Sequence, residues 1–130
     1  MRKFPSNKLW RDKTIDLCTQ KGFVIHWKHL DDQEYDAALR SKLREESDEV
    51  CSAQSREELV AEIADVFEVI DSLGTLHNLT KDEIADYQAK KRSTNGGFFE
   101  RKFVTSVEHP EGSPWIDYCL AQPEKYPEIK

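Results

Sequence analysis

Cysteine is rare in this chain, and its spacing fits neither a disulfide framework nor a zinc site. The 130 residues include three cysteines, Cys18, Cys51 and Cys119, which lie far apart and form no CxxC pair. Small domains stapled by disulfides or by zinc are not built from an odd number of widely separated thiols. We expect three reduced thiols that serve as small packing residues.

Long apolar runs and basic clusters are also missing. No stretch approaches the length of a membrane span, and the N-terminal MRKFPSNKLW has no apolar core of signal-peptide length. The formal net charge is −6, with no face rich in lysine or arginine, which argues against binding to nucleic acid. We therefore expect a cytoplasmic protein without a membrane or nucleic-acid partner, although a small polyanion held through a metal ion is compatible with this charge.

The apolar content is low for a self-sufficient monomer. Hydrophobic residues make up 38% of the chain and charged residues 34%. A chain of 130 residues corresponds to one domain with a modest core. We expect a single domain over residues 1–130 whose core is completed by oligomerisation.

Three capping boxes in succession predict three helices with short connections. In each box the first side chain and a glutamate three residues later satisfy free N–H groups at the helix start. The predicted helices cover residues 31–53, 55–76 and 80–92. Shorter helices are expected at 12–21, before Gly22, and at 113–121, where Ser113 and Pro114 form a start. The predicted fold is mainly α, an antiparallel helical bundle.

Two further segments are predicted to be strands. Residues 23–27 (FVIHW) have the β-branched and aromatic content of a strand, and residues 98–107 (FFERKFVTSV) show strand-like alternation. Because a two-stranded sheet is marginal by itself, we expect a small β ribbon that rests on the bundle.

The first two long helices carry acids where apolar side chains are expected. At about 100° per residue, Lys42, Glu46 and Glu49 fall within the apolar arc of the first long helix. Glu62 projects between apolar residues of the second long helix, and Asp65 lies at the edge of that arc. The apolar residues of the two arcs are Tyr35, Leu39, Leu43, Val50, Leu59, Ile63, Val66, Phe67, Val69, Ile70 and Leu73. Each helix is expected to present an acidic pair toward the core.

These inward carboxylates require positive charge nearby, because an ionised carboxylate that is buried without a partner is very costly. Lys42 alone cannot balance four acids. An all-oxygen ligand set suits Mg²⁺ or Mn²⁺, so we predict a divalent metal site. The predicted ligands are Glu46, Glu49, Glu62 and Asp65. The alternative is that the same acids line a wet seam or a salt-bridged subunit interface.

Such a site is typical of phosphoryl or nucleotidyl chemistry, because metal ions neutralise phosphate charge and lower the pKa of bound water. Glu45, at the edge of the arc, is a candidate to bind metal, to orient water or to act as a base. Lys42 is either a phosphate contact or an internal counter-ion. A carboxylate-bridged di-iron site is disfavoured, because it needs Glu-x-x-His and the histidine positions hold Glu49 and Asp65.

With these residues, the chain resembles the MazG-related, all-α nucleoside triphosphate pyrophosphohydrolases. That family has Glu-Glu-x-x-Glu on one helix and Glu-x-x-Asp on the next, matched here by Glu45-Glu46-x-x-Glu49 and by Glu62-x-x-Asp65. More narrowly, the chain is similar to the single-domain branch that is phosphoribosyl-ATP pyrophosphohydrolase-like or house-cleaning. Its motifs are found as KLWRDK at 8–13, ADVFEVI at 64–70 and GGF at 96–98. The similarity covers about 7–107, which leaves 108–130 as a C-terminal extension.

The resemblance implies a Mg²⁺-dependent hydrolase, in which water attacks the α-phosphate of a nucleoside triphosphate and releases pyrophosphate. It also implies a homodimer or a homotetramer built from dimers. Glu45, Glu46 and Lys42 are the expected catalytic residues. The residues expected to bind substrate are Arg11, Lys13, Lys90, Lys91, Arg92, Gly96 and Gly97.

Two questions stay open at this point. The substrate is a non-canonical nucleotide, an ordinary dNTP or phosphoribosyl-ATP of histidine biosynthesis, and the resemblance favours house-cleaning of non-canonical nucleotides. The second hypothesis is a catalytically idle helical module that binds a nucleotide or another protein.

Overall fold

The structure is a computed structural model that describes all residues from Met1 to Lys130. It contains five helices and no strand, so the mainly α prediction is confirmed. The helices are α1 (Asp12–Gln20), α2 (Asp32–Ser52), α3 (Arg56–Leu76), α4 (Lys81–Asn95) and α5 (Pro114–Leu120). No helix combines the length and the apolar character that a membrane span requires.

The helix starts are those that the capping boxes predict. The Asp31 carboxylate accepts a hydrogen bond from the Glu34 N–H at 2.8 Å, and the Glu34 carboxylate accepts one from the Asp31 N–H at 3.4 Å. The hydroxyls of Ser55 and Thr80 accept backbone N–H bonds at the starts of α3 and α4, at 3.1 and 3.0 Å. These caps fix where each long helix begins.

The end of α3 turns through a left-handed residue. Asn78 has a φ of 57°, and the N–H of Leu79 donates to the Gly74 carbonyl at 2.8 Å. This hydrogen bond is typical of a Schellman turn. Gly74 is buried beneath it.

The predicted two-stranded ribbon is wrong, since neither segment forms a strand. Residues 23–27 leave α1 through Gly22, whose φ is 94°, and continue without a partner strand. In residues 98–107 the alternation is interrupted at Arg101, which has a φ of 60° and donates its N–H to the Phe98 carbonyl at 3.2 Å. This turn breaks the extended run that pairing would need.

Helices α2 and α3 pack against each other as an antiparallel hairpin. Their connection is short, from Ala53 to Ser55. At the open end, Nε2 of His77, just after α3, is hydrogen-bonded to Oδ1 of Asp36, near the start of α2. Arg40 holds the second oxygen of Asp36 at 2.8 Å. This clasp of Asp36, Arg40 and His77 ties the two ends of the hairpin together.

The core that this hairpin forms is small. Leu39 of α2 and Val69 of α3 are its buried hydrophobic residues. The prediction that the whole apolar arc of α3 faces inward is wrong for the single chain, because Ile63, Phe67 and Ile70 are exposed. One neighbouring helix covers only one stripe of α3, and α4 has no buried residue. The predicted bundle is therefore present only as the α2–α3 hairpin.

The chain divides into two compact units, Met1–Ser93 and Thr94–Lys130, with the boundary near the end of α4. The first unit contains the hairpin and every predicted acidic residue. The second contains α5 and a chain of three aromatic rings, with Trp115 at 5.7 Å from Tyr118 and Tyr118 at 5.9 Å from Tyr126.

The accessible surface is larger than expected, whether the chain is treated as one globule or as two. The accessible area is 12274 Å² for a chain of 15.1 kDa. One globule of this mass would expose about 7,100 Å², and two separate globules with the sizes of the two units would expose about 8,400 Å². The difference identifies surface that the single chain leaves uncovered.

Candidate metal and phosphate site

Adjacent turns of α2 and α3 bring five of the predicted site residues together. On α2, Lys42 lies three and four residues before Glu45 and Glu46, and Glu49 lies four and three residues after them, which is the spacing of neighbours on one helical face. The antiparallel pairing places Glu62 of α3 opposite them, within the same group of acids. The local rules of the helix and the register of the hairpin therefore build the site.

Three carboxylates form its centre. One oxygen from each of Glu46, Glu49 and Glu62 lies within 4.8 Å of the other two. This is close enough for a single cation to contact all three. An all-oxygen donor set of this kind suits Mg²⁺ or Mn²⁺.

Unsatisfied oxygens in this centre fit a bound cation. The Glu46 residue is only 6% exposed, and its Oε2 atom has no hydrogen-bond partner. Oε2 of Glu62 is likewise buried and unpartnered. Leaving one buried acceptor unsatisfied costs about 1–3 kcal/mol, and more when the group is charged. A divalent cation would remove this cost, so the residues present fit the metal that the sequence predicts.

The electrostatics of Glu46 agree with this geometry. Burial, and then the neighbouring carboxyl of Glu49, raise the pKa of Glu46 above its ordinary value. The Lys42 ammonium, 3.3 Å from Oε1 of Glu46, acts in the opposite direction and does not cancel the increase. The site thus has less positive charge than its carboxylates require.

Glu45 is held by two lysines at the edge of the cluster. The Lys8 ammonium donates a hydrogen bond to Oε1 of Glu45 at 2.9 Å, and Nζ of Lys42 lies 3.6 Å from the same oxygen. The bond from Lys8 lowers the pKa of Glu45, and Glu45 in turn raises the pKa of Lys8. Glu45 is therefore a fixed anion beside the three central carboxylates.

Asp65, the fourth predicted ligand, is engaged by an arginine. Nη2 of Arg11 donates to Oδ1 of Asp65 at 2.7 Å. The close group of carboxylates consists of the other three predicted ligands and does not include Asp65. Arg11 therefore contacts the predicted site through Asp65 and not through the three central carboxylates.

The remaining predicted substrate contacts lie on α1, on α4 and in the second unit. Lys13 is exposed on α1 and forms no ion pair. Lys90, Lys91 and Arg92 are exposed on α4. Gly96, with a φ of 81°, and Gly97 belong to the second unit.

A cavity of about 450 Å³ lies at the turn between α3 and α4, away from the acids. Ile70, Gly74, Leu79 and Ile84 are among its lining residues, and none of the clustered carboxylates lines it. It is continuous with the exposed apolar side of α3, and so it belongs with the uncovered surface.

Lys8 is the residue of this site that the sequence interpretation missed. It stands in the KLWRDK segment, but only Arg11 and Lys13 of that segment were expected to touch substrate. The usable signal was the spacing of Lys8 and Arg11, two cations three residues apart in front of the first helix. Which acid each one meets depends on the tertiary path of the segment.

Comparison with known proteins adds no relative. No protein-family model, no curated protein and no solved structure matches the chain. The similarity to the MazG-related enzymes therefore rests on the sequence motifs alone and stays a prediction.

Proposed function

We propose that the protein is a Mg²⁺-dependent nucleoside triphosphate pyrophosphohydrolase. Its reaction would cleave the bond between the α- and β-phosphates, giving a nucleoside monophosphate and pyrophosphate. The observation that carries the proposal is the group of three carboxylates within 4.8 Å, with unpartnered buried oxygens on Glu46 and Glu62. A cation-binding centre flanked by lysine and arginine suits a ligand that is a metal-bound polyanion.

The residues divide into metal-binding and phosphate-binding groups. Glu46, Glu49 and Glu62 would hold the ion, with Asp65 as a further ligand once Arg11 releases it. Bound Mg²⁺ supplies charge neutralisation and a water of lowered pKa. Lys42, which is half-buried between Glu45 and Glu46, is placed to meet phosphate oxygens without leaving the site.

Glu45 is suited to holding the attacking water. Its carboxylate lies at the rim of the cluster, and in the free protein Lys8 and Lys42 lower its pKa and keep it ionised. An ionised carboxylate accepts a hydrogen bond from water and so orients the water oxygen toward phosphorus. The proton that leaves the water on attack would then pass to this carboxylate or to solvent.

The proposed substrate class is inferred from the order of the sequence motifs and not from the shape of a binding pocket. The motifs at 8–13, 64–70 and 96–98 resemble those of the house-cleaning branch, which supports non-canonical nucleotides over phosphoribosyl-ATP as the substrate. No geometry near the three carboxylates selects a base.

A second copy of the chain is the proposed cover for α3. The exposed area of one chain exceeds that of two separate globules by about 3,900 Å², which is more than the roughly 1,000–2,500 Å² per chain that an obligate homodimer interface buries. Phe67, Ile63 and Ile70 supply an apolar strip along α3 for such an interface. The cavity at the α3–α4 turn extends this strip.

The test is pyrophosphate release from canonical and modified nucleoside triphosphates and from phosphoribosyl-ATP, with Mg²⁺ and with EDTA. Wild-type protein is expected to release pyrophosphate and a monophosphate only with Mg²⁺. Glu62→Gln should lower the rate by at least about 100-fold, because it removes a ligand of the ion. Glu68→Gln, the same charge change on an exposed residue of α3, should keep the wild-type rate.

One observation favours the idle binding module. Lys8, Lys42 and Arg11 already neutralise part of the acidic group without metal. A folded protein that releases no pyrophosphate from any of these substrates, and whose melting temperature does not rise with Mg²⁺, would make this module the better account.

A further inference from the structure

Two cations that pair with the acids come from one short segment. Lys8 and Arg11 precede α1, and they reach across to different helices, Lys8 to Glu45 of α2 and Arg11 to Asp65 of α3. Both acids belong to the motifs that carry the proposed function. The segment thus supplies the acidic site with positive charge from outside the hairpin.

The charged side chains of the site leave a defined deficit of positive charge. The acidic group consists of Glu45, Glu46, Glu49, Glu62 and Asp65, and its cations are Lys8, Arg11 and Lys42. Five formal negative charges and three positive charges leave a charge of −2, which one divalent cation neutralises. The unpartnered, nine-tenths buried carboxylate of Glu46 shows where that deficit is concentrated.

The two pairs are placed so that they can exchange partners. The side chains of Lys8 and Arg11 are 47% and 58% exposed, and exposed pairs of this kind change an equilibrium by less than about fivefold. The backbone beside them is better fixed, since Leu9 and Trp10 are half-buried and Trp10 donates to the Ser6 hydroxyl at 2.9 Å. The ammonium of Lys8 and the guanidinium of Arg11 can therefore move while the backbone of the segment keeps its position.

We propose that Lys8 and Arg11 are exchangeable counter-ions, which pair with Glu45 and Asp65 in the metal-free protein and transfer to the phosphates when metal and triphosphate bind. This inference rests on the proposed function of the same site. It makes Lys8 a phosphate-binding residue, and it explains why acids that would bind metal are partly paired in its absence. Asp65 becomes available to the ion when Arg11 turns to phosphate.

The exchange predicts effects of opposite sign for one substitution. Without nucleotide, the positive charge of Lys8 beside the three central carboxylates opposes binding of a cation there, so Lys8→Met should tighten binding of Mn²⁺ by about two- to fivefold. With Mg²⁺ present, Lys8 contacts phosphate, so the same variant should bind a non-hydrolysable α,β-methylene nucleoside triphosphate about three- to tenfold more weakly. A purely structural pair would shift both affinities in the same direction or neither.

The experiment measures Mn²⁺ affinity by electron paramagnetic resonance of the free ion and analogue affinity by calorimetry. Lys28→Met is the matched control, because Lys28 is an exposed lysine paired with Glu34 at 3.8 Å, outside the acidic group. Lys8→Arg keeps the charge and should return both affinities toward wild type. Circular dichroism of each variant checks that the helices are intact.

The outcomes separate this inference from the function beneath it. Opposite shifts in Lys8→Met, absent in Lys28→Met and reversed in Lys8→Arg, support the exchange. If wild type binds Mn²⁺ but Lys8→Met shows no opposite shifts, the exchange is wrong while the metal site stands. If folded wild type binds no Mn²⁺, both the exchange and the proposed function are overturned.

Discussion

Replacing Glu46 by glutamine tests whether this acid is kept for a cation at the expense of stability. Glutamine preserves the shape of the side chain and removes its charge. The structure gives Glu46 one attractive partner, Lys42 at 3.3 Å, and leaves Oε2 buried without any. A pair four residues apart on a helix contributes about 0.3–0.5 kcal/mol, whereas the unsatisfied oxygen costs about 1–3 kcal/mol. Glu46→Gln should therefore raise the free energy of unfolding in EDTA by about 1–2 kcal/mol.

Thermal unfolding in EDTA measures this difference. A gain of about 1–2 kcal/mol corresponds to a rise of roughly 3–10 °C in melting temperature for a domain of this size. The gain should also depend on pH. The pKa of Glu46 is higher in the folded chain than in the unfolded one, so the wild-type penalty is absent below the unfolded pKa and develops as the pH rises through the folded pKa. Wild type and variant should thus differ more at about pH 8 than at about pH 4.

The control and the metal response complete the test. Glu68→Gln makes the same charge change at an exposed position of α3 and should leave the melting temperature within about 2 °C of wild type, as for most surface substitutions. Saturating Mg²⁺, at about 100 times its Kd, should stabilise wild type by about 2.7 kcal/mol and stabilise Glu46→Gln much less. A variant that is less stable than wild type in EDTA would refute the reasoning, because Glu46 would then be a satisfied structural acid.

Three further outcomes follow from the packing and the ion pairs. The hydrogen bond from Arg40, and then the one with His77, lower the pKa of Asp36. Asp36→Asn should therefore lower the melting temperature at neutral pH, and its difference from wild type should fade as the pH falls through the folded pKa of Asp36. A difference in melting temperature that does not change with pH would contradict this prediction. Gly74→Ala should raise the free energy of unfolding by about 0.5–1 kcal/mol, because an added Cβ meets nothing nearer than 3.4 Å. Denaturant titration measures this free energy, and a lower value in the variant than in wild type would contradict the prediction. Phe67→Glu, at a site 63% exposed in the single chain, should reduce the mass seen in sedimentation equilibrium, and an unchanged mass would exclude this face as the contact between copies.

The helices could be predicted because their signals are local. Asp31, Ser55 and Thr80 each accept the backbone N–H that the capping pattern assigns to them. Glu46 and Glu62 were also predictable as neighbours, because helical periodicity and a short connection determine which turns of two antiparallel helices meet. These inferences need only a few residues of context.

The wrong predictions concern features that are determined by contacts between residues far apart in the sequence. The strand prediction for residues 98–107 relied on side-chain alternation, and the left-handed turn at Arg101 is not encoded in that alternation. The inward orientation of Phe67 assumed a complete bundle, which a helix's own periodicity cannot supply. The partners of Lys8 and Asp36 likewise depend on how separate segments meet in space.

The small core has a thermodynamic consequence for how the chain unfolds. With Leu39 and Val69 as its buried hydrophobic residues, the single chain exposes little additional apolar surface when it unfolds. Both the denaturant m-value and the heat-capacity change scale with that newly exposed surface. An isolated chain should therefore unfold over a broad range of denaturant concentration, and a steep transition would itself indicate that the apolar strip of α3 is covered.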